Sequence, residues 1–157
     1  MNKKDIQEAL LQHYIDSICD AEREKRQKTQ MTLGKLIELL EQMNPEDGII
    51  CSTDTSIRFT SFDSYRGYYE DLALGYIAAD YYAEKTNDTI NTVGQFLAEA
   101  KSCLNKKFYG WKGGEFLMTE NTPLWIANNG HTSHFVIAKV EEFSGNCFVY
   151  LAIKDDD

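Results

Sequence analysis

Two six-residue runs match position by position, sixty residues apart: Thr32-Leu33-Gly34-Lys35-Leu36-Ile37 and Thr92-Val93-Gly94-Gln95-Phe96-Leu97. Each opens on threonine, a good N-cap because its hydroxyl can accept from an otherwise unpaired N–H of the first helical turn. Thr92 and Gln95 also have the spacing of a capping box. The first run predicts a helix from Thr32 through Leu33, Leu36, Ile37, Leu39 and Leu40 to Met43, stopped by Asn44-Pro45-Glu46-Asp47-Gly48. The second predicts a helix to about Leu104 that buries Val93, Phe96, Leu97, Ala100 and Leu104. Six residues are too few to establish a duplication, but they suggest two similar helix-then-strand units against one sheet.

The rest of the chain supplies strands and one further helix. Ile49-Ile50-Cys51 reads as a short buried strand, and Ser52 to Ser56 as a polar turn. Ile57 to Phe62 alternates, with Ile57, Phe59 and Ser61 on one face and Arg58 on the other. Leu72 to Ala78, Phe116 to Met118 and Leu124 to Ala127 read as strands, and Asp80 to Asn91 as a surface loop or a hairpin extension. Phe135 to Phe143 and Cys147 to Ile153 flank Ser144-Gly145-Asn146 as a hairpin. Ahead of all this, residues 3–28 predict one long helix. Ile6, Leu10, Tyr14 and Ile18 recur every four residues, and Leu11, Ile15 and Cys19 form an adjacent row. Beyond Cys19 the helix is charged all round, so its apolar stripe needs cover that self-association would provide. At 157 residues the expectation is an α+β fold: a curved, mostly antiparallel sheet packed against two capped helices, plus the long N-terminal helix. Residues 1–30 form a helical arm, and residues 31–157 a single α+β ligand-binding domain.

Charge narrows the function. Residues 1–30 balance six basic against six acidic side chains, while residues 31–157 carry ten against nineteen and hold the whole net −9. Such a body repels phosphate backbones at long range, which disfavours general nucleic-acid binding. A local basic pocket can still hold a small anion, because screening confines charge effects to about 10 Å. No apolar run spans a bilayer and Gln7, Glu8 and Gln12 interrupt any leader-like stretch, so the expected location is the cytoplasm. Four scattered cysteines without a CxxC pair read as reduced core residues. No metal or cofactor is expected: His131 and His134 lack an obvious third ligand, and neither a Walker A lysine loop nor a GxGxxG is present. No nucleophile-elbow pattern occurs either, so the chain reads as a binder rather than an enzyme.

Ser64-Tyr65-Arg66-Gly67-Tyr68-Tyr69-Glu70 is the densest concentration of recognition-type side chains. A guanidinium can grip phosphate bidentately and a tyrosine offers a stacking face and a hydroxyl. Tyr65, Arg66, Tyr68 and Glu70 therefore suit a phosphorylated aromatic ligand; equally, Arg66 could pair with a carboxylate and lock the loop while the tyrosines fill the core edge. Trp111 and Lys112 make a second candidate wall, and Asn128 at a strand end could read a base edge or ribose. Arg23 and Arg26 on the arm face a ligand or partner in one reading and are a solvated extension in the other.

Five segments in order, Met31 to Ile37, Ser64 to Leu74, Thr92 to Gly94, Gly110 to Phe116 and Thr122 to Asn128, resemble a family of small phage-encoded proteins. The set is similar to the Thoeris anti-defence sponges, which bind cyclic ADP-ribose-type immune signals without cleaving them. Some such sponges also hold cyclic oligonucleotides and assemble as dimers or hexamers. The resemblance implies a small nucleotide signal with two phosphates, an adenine and ribose rings, held around Tyr65, Arg66, Tyr68, Trp111 and Asn128, with Arg58 and Lys112 adding charge. It also implies a second, inter-subunit site at Arg23 and Arg26, a homo-oligomer, and a place in the host cytoplasm. The chain departs from arginine-rich phosphate binding in having no arginine after Arg66, and its N-terminal helix lies outside the resembling region. An alternative function is an acidic inhibitor that blocks a host defence protein directly, as DNA mimics or anti-CRISPR-like proteins do, using Glu41, Glu46, Asp47, Asp54, Asp63, Asp71 and Asp80.

Overall fold

The computed structural model describes residues 2–78, 89–110 and 113–154. Both expected capped helices form. Helix α2 spans Leu33–Glu41 with the Thr32 side chain accepting from the Lys35 N–H. Helix α3 spans Val93–Cys103, and Thr92 and Gln95 close the full capping box. A long helix α1 spans Lys3–Thr29, with Asn2 as its N-cap. The strands are β1 (Gly48–Cys51), β2 (Ile57–Tyr65), β3 (Tyr68–Ala78), β4 (Lys107–Tyr109), β5 (Glu115–Leu117), β6 (Leu124–Ile126), β7 (Phe135–Phe143) and β8 (Asn146–Ile153). A 3-10 turn, Asn128–Gly130, follows β6. The reading of Asp80 to Asn91 as a loop or hairpin falls mostly outside the described residues.

Six strands make one sheet in the order β1-β8-β7-β6-β3-β2, while β4 and β5 pair separately as a small hairpin. Neighbours β2/β3, β6/β7 and β7/β8 are antiparallel; β1/β8 and β3/β6 are parallel. The two ends of the sheet, β1 and β2, lie against each other, so the sheet nearly closes. Helices α2 and α3 pack on each other and over its apolar face. Phe96 of α3 sits stacked at 6.2 Å from Phe59 and 6.3 Å from Phe62, both on β2. Leu33, Leu36 and Leu40 of α2 are fully buried in the same core. Each such side chain contributes about 1.5–3 kcal/mol of apolar burial.

The matching helix starts dock reciprocally. Leu33 N–H donates to Thr122 O (2.9 Å) and Gly34 N–H to Glu120 O (2.8 Å), in the loop before β6. Val93 N–H donates to Asp47 O (2.9 Å) and Gly94 N–H to Pro45 O (2.9 Å), in the loop before β1. A third bond repeats as well: Leu124 N–H to Met31 O at 2.9 Å, and Ile49 N–H to Asn91 O at 3.3 Å. Each helix is thus capped by the loop that leads into the other unit's strand. Exchanging β1 with β6, β2 with β7 and β3 with β8 maps the strand order onto itself around the nearly closed sheet. The two expected helix-then-strand units are present, related by an internal pseudo-two-fold.

Candidate functional site

Ser64 to Glu70 is the tip of the β2–β3 hairpin and includes the ends of both strands. Tyr65 pairs with Tyr68, leaving Arg66-Gly67 as the connection between β2 and β3. A loop after β6 holds this tip. Arg66 N–H donates to Gly130 O at 2.6 Å, and Ser133 N–H donates to the Tyr65 hydroxyl at 3.2 Å. Gly130 has φ +74, and a Cβ there would lie 2.5 Å from Ser64 O, so only glycine admits this approach. The Ser133 hydroxyl donates to Ile126 O and fixes the loop onto β6.

Tyr65 is fully buried, which corrects its expected contact with ligand. Its ring stacks on Trp125 at 4.6 Å between centroids, and Tyr68 flanks both, 6.3 Å from Tyr65 and 5.9 Å from Trp125. Such stacks add about 0.5–1.5 kcal/mol each beyond area burial. Tyr68 remains partly exposed, but the Arg26 guanidinium covers it, 3.9 Å from the ring centroid.

Arg26 is likewise withdrawn from the solvent-facing role expected for it. It is buried, with Nε 3.1 Å from Asp71 Oδ2 and a terminal nitrogen 3.0 Å from Glu70 Oε1. Asp71 is fully buried, and Trp125 Nε1 donates to the same Oδ2 at 2.8 Å. Burial pushes the Asp71 carboxyl up to about 6, although the Trp125 bond and the Arg26 charge both pull it down. Glu70 and Asp71 thus anchor the C-terminal part of α1 to β3. Arg23 is half-exposed and lies 4.0 Å from Glu70 and 3.7 Å from Asp20. It lines a groove of about 330 Å³ shared with Glu70, Asp71 and Glu115. Carboxylates outnumber cations there, so that groove suits donors better than phosphate.

Arg66 is different. It is exposed, and among the described residues no carboxylate pairs with it. Its terminal nitrogen lies 3.3 Å from His131 Nε2 and 3.5 Å from Nδ1. An arginine N–H only donates, so a ring nitrogen accepts in this contact. Arg58 donates to the carbonyls of Thr55 (2.8 Å) and Ile57 (3.1 Å), and its buried Nε has no partner among the described residues. Asn128 is exposed but its Oδ1 accepts from Tyr76 N–H at 3.3 Å, tying the 3-10 turn to β3. Trp111 and Lys112 lie outside the described residues. Gly113 and Gly114, at φ +97 and +91, make the turn of the β4–β5 hairpin, with Gly113 N–H donating to Gly110 O.

Among the described residues, no group of three or more His, Cys, Asp or Glu side chains is placed to hold a metal ion. Cys51, Cys103 and Cys147 are free and buried, and burial pushes the Cys147 thiol up to about 12. Asp47 and Asp71 are buried, which removes them from any acidic recognition surface; Asp80 lies outside the described residues. His131 and Trp125 are the site residues that residue chemistry alone did not bring to the hairpin. Gly130 beside His131 is the signal for the first, since glycine ahead of a polar loop marks a close backbone approach. Among the described residues, no helix is long and apolar enough to cross a membrane. Searches against family models, curated proteins and solved structures find no match.

Proposed function

We propose that this chain is a non-catalytic binding protein that sequesters a small phosphate-bearing signal, of the cyclic ADP-ribose or cyclic oligonucleotide type, at the β2–β3 hairpin tip. The observation that carries this reading is the state of the three arginines nearest the tip. Arg23 and Arg26 are committed to carboxylates, whereas Arg66 is exposed, paired with no carboxylate among the described residues and backed by His131 on a braced loop. A guanidinium held on a rigid hairpin loses little freedom on gripping a phosphate, which favours tight binding without chemistry. Sequestration then works by mass action: a signal held on the protein is withdrawn from its effector. The ordered set of family-like motifs, which includes Ser64 to Leu74, supports the same ligand class.

The test is retention and release. The purified chain is incubated with cyclic ADP-ribose isomers and with cyclic di- and trinucleotides, then separated, heat-denatured and assayed for released ligand. Recovery of one of them intact is the expected result, and Arg66→Ala lowers its retention at least tenfold, about 1.4 kcal/mol. Recovery of altered ligand makes the chain an enzyme. Failure to retain any of them sets the reading aside in favour of direct blocking of a protein.

A further inference from the structure

Helix α1 meets the body of the molecule only towards its C-terminal end, at Arg23 and Arg26. Among the described residues, Arg23 is the first along α1 to pair with another element, through Glu70, and no hydrogen bond or ion pair ties residues 3–22 to any other helix or strand. Yet that free segment carries Ile6, Leu10, Leu11, Tyr14, Ile15 and Ile18, each between 43% and 64% exposed. At 100° per residue these six fall within one half of the helix surface. A lone helix of this kind is marginal in water without something on its apolar face.

We infer that the occupant of this face is the α1 helix of a second copy, packed antiparallel. Three observations select it. The first is area: the exposed parts of the six side chains amount to roughly 700 Å² per copy, so a pair can bury up to about 1,400 Å², the order of a stable interface. The second is charge. Residues 1–30 are neutral while the remainder carries −9, so the arm is the part of the chain on which two copies can meet without net repulsion. The third is polarity along the helix. Lys3 and Lys4 stand at one end of the stripe, and Asp20 and Glu22 at the other. In an antiparallel pair centred near Gln12, Ile6 meets Ile18, Leu10 meets Tyr14, and each lysine end lies beside the partner's acidic end. A parallel pair sets Lys3 and Lys4 against their own copies. The antiparallel overlap of residues 3–21, about 28 Å long, also leaves the two acidic bodies at opposite ends. This inference does not depend on what the hairpin tip binds.

Sedimentation equilibrium or light scattering on the full chain tests it. A dimer mass is expected at about 10 µM. The double variant Leu10→Asp/Tyr14→Asp raises the dissociation constant at least about 100-fold, because two apolar contacts become buried charges. Both side chains are exposed in the single chain, so the urea midpoint of the dilute variant stays that of the dilute wild type. Orientation is read by charge reversal. Lys3→Glu/Lys4→Glu weakens the dimer about tenfold, and adding Asp20→Lys/Glu22→Lys to the same chain restores it. Overturning results are a monomer up to about 100 µM, an assembly indifferent to Leu10→Asp/Tyr14→Asp, a dimer indifferent to Lys3→Glu/Lys4→Glu (as a parallel pair would be), or a monomer that binds phosphatidylcholine–phosphatidylserine vesicles through the same stripe.

Discussion

Asp71 is the residue on which the most competing demands fall. It is fully buried, its Oδ2 accepts from Arg26 and Trp125, and its Oδ1 has no partner among the described residues. Desolvation outweighs both stabilising partners and lifts the carboxyl to about 6, against about 3.9 in an unfolded chain. A raised folded value means that this group's stabilisation is fully present below about pH 3.9 and is lost as pH rises through about 6. Asp71→Asn fixes the site in a neutral form. The variant is therefore expected to gain on the wild type by up to about 3 kcal/mol between pH 4 and pH 7, read from paired urea unfolding curves. A stability difference that stays constant over that range contradicts the account. The same residue marks what local sequence leaves open. Arg26 and Asp71 are 45 positions apart in sequence, and each has an obvious surface role when read alone. Nothing near either residue says that they meet, or that Tyr65, stacked on Trp125, is core. Arg66 too was open between a ligand contact and a carboxylate lock, and its exposure at the turn between β2 and β3 appears only in the folded chain.

At the scale of elements, the two threonine-led helices were fully legible, since a cap is a local device and Thr92 with Gln95 closes its box within four residues. The strand ends were not. β2 and β3 run on into Ser64 to Glu70 because long-range pairing extends them through polar positions, and β4 is a three-residue strand with no periodicity to read. The glycines that follow the caps have a reason that only the docking reveals. A Cβ on Gly34 would lie 2.8 Å from both Cβ and the carbonyl oxygen of Glu120, whereas one on Gly94 would lie 3.2 Å from Pro45 O. Gly34→Ala is expected to cost about 2 kcal/mol, as the docked loop must shift. Gly94→Ala is expected to be within about 1 kcal/mol of neutral, since gained helix propensity offsets a milder crowding. Urea midpoints of the two variants check the order; equal midpoints, or the reverse order, remove the close approach as the reason for glycine at position 34.

At the scale of the molecule, the pseudo-two-fold makes the halves mutually dependent. The first half supplies α2, β1, β2 and β3, and the second supplies α3 and β6, β7 and β8. Within the six-stranded sheet, both parallel pairings cross between halves: β1 lies on β8, and β6 on β3. Both helix starts likewise donate to loops of the opposite half. Neither half alone can make the parallel pairing of β1 with β8 or of β6 with β3, or satisfy the N–H groups of Leu33, Gly34, Val93 and Gly94 in the way the whole does. Separately made fragments 1–78 and 89–157 are therefore expected to lack cooperative urea transitions on their own and to regain one when mixed, with circular dichroism following the change. A fragment that unfolds cooperatively alone would make the pseudo-two-fold a resemblance between independent units rather than the basis of the fold. The hairpin tip inherits this dependence: Arg66 belongs to the first half, while Gly130, Ser133 and His131 that brace it belong to the second. Ligand retention should consequently appear only in the mixture, and at the same fragment ratio as the cooperative transition.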